Sequence, residues 1–81
     1  MNEMDIVVKN KQVYVKNTTT ILKNLDTNES YGVILNFKDG STFVNSYIVD
    51  FIFEGKDICK VKFNHNNIEH IVNINEIKEI I

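Results

Sequence analysis

The 81-residue sequence contains no proline, tryptophan, arginine or alanine, only three leucines and three glycines, and one cysteine. Each shortage excludes something. Without alanine and with little leucine, the chain lacks the residues that best stabilise helices. A single cysteine, Cys59, cannot form an internal disulfide framework and fits a reducing compartment. Lack of arginine removes the side chain that most often reads bases and phosphates bidentately. The glycines Gly32, Gly40 and Gly55 stand apart, so no phosphate-cradling glycine loop is present. Apolar runs last only a few residues, far short of a membrane span. Met1-Asn2-Glu3-Met4-Asp5 has no basic segment of a secretion signal, so a cytoplasmic location is expected, that of the host cell if the chain is phage-encoded.

What is abundant points to sheets. Twelve Ile, nine Val, five Thr, five Phe and three Tyr are the residues that pleated strands favour. Twelve Asn and nine Lys accompany them, a skew that fits an A/T-rich coding sequence. The formal charge of −2 arises from acids and lysines that are interspersed along the chain. No basic face follows from that pattern, which argues against nucleic acid as a partner. The length allows one domain, residues 1–81.

Alternation sets the strands. Met4, Ile6 and Val8, then Val13 and Val15, flank Asn10-Lys11-Gln12 and read as an N-terminal hairpin over 1–16. Ile21, Leu22 and Leu25 after Thr18-Thr19-Thr20 fit a short helix near 18–25, although three threonines suit a strand equally. Asp26 to Ser30 reads as a loop. Tyr31, Val33, Leu35 and Phe37 share one strand face, and Lys38-Asp39-Gly40-Ser41 carries the Asp-Gly hairpin signal. In the next strand, Thr42 to Phe53, Phe43, Tyr47, Val49, Phe51 and Phe53 share one parity while Val44, Ile48 and Ile52 share the other. Burial of both faces is therefore expected along part of it. Turns recur near 10, 28, 39, 55 and 66, and the last residues read as a turn and a closing strand. The expectation is a mostly β fold: a small antiparallel barrel or strongly bent sheet of five to seven strands, with residues 31–81 as its meander.

The stretch Tyr31-Gly32-Val33-Ile34-Leu35-Asn36-Phe37-Lys38-Asp39-Gly40-Ser41 resembles the opening hairpin of Sm-like and SH3-like small barrels. The tail Val72 to Ile80 is similar to their ending: a strand, a one-turn connection and a short closing strand. The resemblance spans about residues 19–81 and implies a barrel with ring-like or dimeric edge pairing. The family's RNA-contacting residues do not carry over. Glu54-Gly55-Lys56-Asp57 stands where an Asp and a Met-Asn pair are usual, and Asn75-Glu76 where an Arg-Gly pair is usual.

Chemistry-bearing residues are sparse. Cys59, His65 and His70 are the soft and imidazole groups, without a CxxC or HxxxH spacing to hold zinc or to assemble a thiolate and its base. Asp57, Glu69, Glu76 and Glu79 are scattered and read as a solvated face. Neither catalysis, a metal nor a cofactor is expected. Aromatics exceed what one core face needs, so Tyr31, Tyr47, Phe53 and Tyr14 are expected to present a patch to a protein partner. The function expected is a non-enzymatic protein-interaction module that self-associates as a homo-oligomer. Composition and size further suggest a phage or mobile-element accessory protein that binds and inhibits a host defence protein. One alternative is a nucleic-acid-binding barrel resting on Lys9, Lys11, Lys16, Lys60 and Lys62. Another is a small-ligand site, for a signalling nucleotide for example, in a pocket between subunits lined by Asn and aromatic residues.

Overall fold

Short β-branched runs punctuated by Asn, Asp and Gly turns fold as nine strands in two antiparallel sheets in the computed structural model, which describes residues 6–81. The first sheet takes its strands in chain order: β1 (Ile6–Lys9), β2 (Gln12–Val15), β3 (Ile21–Asn24) and β4 (Glu29–Ser30). The β1–β2 turn holds Asn10 and Lys11 at φ of 51° and 61°, the left-handed pair whose twist matches a hairpin. The Met4 end of the expected first strand lies outside the described residues. Residues 21–24 are strand, not helix, because Leu22 is needed as an inward-pointing strand residue and is fully buried. The expected loop 26–30 ends in the two-residue β4, one reason the strand count exceeds seven.

The second sheet comprises β5 (Gly32–Phe37), β6 (Thr42–Glu54), β7 (Asp57–His65), β8 (Ile68–Asn73) and β9 (Ile77–Ile80). Its order is β8-β7-β6-β5-β9, with a 3-10 turn at Ile74–Glu76 leading into β9. The two edges, β8 and β9, are not paired with each other, and no closed barrel is found among the described residues. At the β5–β6 turn, Gly40 takes φ 93°, open to glycine. There the Asp39 carboxylate accepts hydrogen bonds from the Ser41 hydroxyl at 2.6 Å and the Ser41 amide at 2.9 Å.

The long strand β6 corrects the expectation of two buried faces. Val33 pairs with Ser46 and Leu35 with Phe43, so Ile34 alone opposes both Val44 and Asn45. That bulge, with Asn45 at φ 52°, moves the inward side from Phe43 to Ser46 and Ile48. A second irregularity follows, because Ile48 pairs with Phe63 and Asp50 with Lys62, which leaves Val49 as the extra residue. Phe51 then turns inward opposite Val61. Val44 and Ile52, expected inside, are exposed. The mixed parity in the sequence thus encodes one inward face interrupted twice, not a strand buried on both sides.

Both sheets contribute to one core. Val13, Val15 and Leu22 from the first sheet pack with Val33, Leu35, Phe37, Ile48, Val61, Phe63, Ile74, Ile77 and Ile80. Beyond Tyr47, β6 has no β5 residue beside it, and the first sheet supplies side chains instead. The Ser30 hydroxyl donates to the Ile48 carbonyl at 2.6 Å, and the Lys23 ammonium to the Val49 carbonyl at 2.8 Å. These bonds give the two carbonyls at the bulge donors from the first sheet and tie the sheets together there.

Two outcomes are expected. Leu22→Ala leaves a cavity where the sheets meet and lowers the unfolding free energy by about 2–5 kcal/mol, read as a shift in the denaturant midpoint. Hydrogen bonds from Ser41 hold the Asp39 carboxyl below the usual carboxylate range. Because this pKa is depressed on folding, its stabilisation is present above the unfolded value and is lost as pH falls through the folded one. The stability gap between the wild type and Asp39→Asn, followed by chemical denaturation, should therefore close in acid.

Candidate functional site

Where β1 and β2 face the far end of the β6–β7 hairpin, the two sheets part and leave an apolar groove of about 480 Å³. Ile6, Val8, Val13 and Leu25 form one wall, while Phe51, Phe53, Ile58 and Ile74 form the other. Pairing explains this arrangement: Val8 lies opposite Val13 on the inner face of the first sheet, and Phe53 lies opposite Ile58. Val13 belongs to the core and Ile58 packs against it, whereas their partners project beyond it: Val8 is 61% and Phe53 60% exposed, and Leu25 nearby is 50% exposed. Among the described residues, charged side chains line the groove at Lys23, Asp50 and Lys56, and Lys23 is bonded to the Val49 carbonyl. Asp50 also accepts the Phe51 amide at 2.8 Å, occupying a donor on the free edge of β6.

A second, smaller depression of about 300 Å³ lies on the outer face of the second sheet, lined by Asn45, Tyr47, Asn64, Asn66 and Asn67. Tyr47 pairs with Gly32 on one side and Asn64 on the other. The Tyr47 ring lies against β5, its hydroxyl 3.4 Å from where a Cβ at Gly32 would stand, an ordinary contact distance.

The four aromatics expected to share a patch are not brought together. Phe53 lines the groove and Tyr47 the small depression. Tyr14 is on the outer face of the first sheet, its hydroxyl donating to Gln12 Oε1 at 2.7 Å. Tyr31 is half-buried at the β4–β5 junction, its amide bonded to the Leu22 carbonyl. Of the groove residues, sequence reasoning singled out Phe53 as a site residue and missed the others, Val8, Leu25, Ile58 and Ile74 among them. Only the pairing register, absent from the sequence pattern, sets them side by side.

The five lysines of the nucleic-acid alternative are divided between the sheets. Lys11 meets Asp26 at 3.2 Å on the surface, and Lys62 lies directly across from Asp50. Counterion release needs such charges concentrated on one face, and this placement pairs or separates them. Cys59 sits at an irregularity near the start of β7, its thiol 4.0 Å from Glu54 Oε2. His65 and His70 lie toward the other end of the sheet, with ring centres 5.0 and 5.4 Å from that of Phe43, and His70 stacks on Phe63 at 4.9 Å. Six residues of strand, about 20 Å, separate Cys59 from His65, so the imidazoles act here as caps on the aromatic core and do not reach the thiol.

The chain matches no family model, no curated protein and no solved structure.

Proposed function

We propose that this chain is a non-enzymatic protein-interaction module that self-associates through the groove between its sheets. One observation carries the reading: Val8, Leu25 and Phe53 are each at least half exposed along one continuous apolar depression. Scattered surface hydrophobics are ordinary, whereas a contiguous patch rimmed by polar groups marks a contact surface. An exposed large aromatic in its wall, Phe53, is the kind of anchor that supplies much of an interface's binding energy. A second copy fits as the occupant because the groove borders two backbone edges, β1 and the far half of β6, that have no strand beside them among the described residues. Apolar residues on an edge strand invite pairing with the same strand of another copy.

The small-barrel resemblance supports the same reading at the level of fold, since a long bent strand and a 3-10 turn before the closing strand are present. In this proposal the domain is an open variant of such a barrel. Its composition further supports a phage or mobile-element accessory protein, for which the groove would receive a host protein in place of the second copy.

Light scattering coupled to size exclusion tests the proposal. The wild type is expected to run as a dimer or larger assembly at micromolar concentration. Phe53→Lys, which places a charge in the groove without touching the buried core, should shift the assembly to monomer and weaken association by about tenfold or more. A wild-type monomer at every concentration would overturn self-association, as would a Phe53→Lys variant with unchanged mass.

A further inference from the structure

We propose that the depression around Tyr47 is a binding site for a neutral pyranose sugar, separate from the groove. Tyr47 is 44% exposed. Its ring rests over Gly32, which leaves the phenol as a platform on the outer face of the sheet. An arc of four carboxamides borders it: Asn64 directly across on β7, Asn45 at the β6 bulge, and Asn66 and Asn67 in the β7–β8 turn. Neither these carboxamides nor the Tyr47 hydroxyl has a hydrogen-bond partner among the described residues. Asn45, Asn66 and Asn67 are held at φ of 52°, 51° and 63° by bulge and turn, so their positions are fixed before any ligand arrives.

The chemistry of the lining selects the ligand. Each carboxamide offers two donors and an acceptor, which suits hydroxyl groups that both donate and accept. A pyranose carries hydroxyls around its perimeter and C–H bonds on its faces, matching an arc of amides beside an aromatic platform. A nucleobase carries its polar atoms in the ring plane and has no hydroxyls that both donate and accept, so it matches the arc less well. No charged side chain among the described residues lines the depression, and Glu69 pairs with Asn64 at its border. A phosphate would therefore meet an acid and no cation, which disfavours nucleotides. The volume, at the small end for ligand sites, suits a single ring.

The test is an NMR titration of the intact protein with glucose, galactose and N-acetylglucosamine, and with adenosine as a competing chemistry. At least one sugar should move the side-chain amide resonances of Asn45, Asn64, Asn66 and Asn67 and the Gly32 backbone amide, saturating with a Kd of about 1–10 mM. Tyr47→Ala, on the outer face and away from the core, should weaken that binding about tenfold. Asn64→Ala, which keeps the platform, should weaken it as well. Three results would each overturn the proposal: no saturable movement with any of the sugars, movement confined to residues elsewhere, or saturation by adenosine alone.

Discussion

Two carbonyl groups on β6, those of Ile48 and Val49, stand where the rest of the molecule is decided. An extra residue in β6 at this point breaks the ladder with β7, and β5 no longer runs beside it. An acceptor freed in a half-buried place needs a donor, because leaving it without one costs about as much as several good contacts provide. Ser30 and Lys23 supply those donors from the first sheet. The same bonds join the two sheets, and Leu22, Val13 and Val15 pack into the core they share. Sheet-to-sheet packing is thus coupled to an irregularity in one strand, and so is the gap that opens beyond it.

That coupling explains why the fold was only partly legible in the sequence. Val33, Leu35 and Phe37 announced their buried face by simple alternation, and Val61 and Phe63 did the same. The Asp39-Gly40 turn and the closing turn and strand were legible for equally local reasons. Bulges were not. A single extra residue reverses inside and outside for everything after it, so β6 read as apolar on both sides when it has one inward face twice displaced. Asn45 was the available signal, since asparagine tolerates positive φ where most residues do not, but an asparagine-rich chain hides such a signal among many of its kind.

Site residues divide along the same line. Tyr47 and Phe53 could be picked out as large apolar groups on a strand already rich in them. Their neighbours could not, because Val8 and Leu25 meet Phe53, and Asn66 meets Tyr47, only through the register and through the way the sheets part. The lysines show the converse: close in sequence on β7, Lys60 and Lys62 do not combine with Lys9, Lys11 and Lys16, which belong to the other sheet.

The return of β9 to β5 has a consequence for how the chain acquires this structure. Hairpins β5–β6, β6–β7 and β7–β8 join neighbours in sequence, and each can close soon after its residues are made. The partner of Leu35 is Ile80, more than half the chain away. During synthesis, one side of β5 therefore stays open until β9 has emerged. Closing so long a loop is slow relative to a hairpin but adds only modest entropy per doubling of length. The last strand acts as a latch on a sheet already assembled, and the interval before it shuts is when β5 is most open to pairing with another chain.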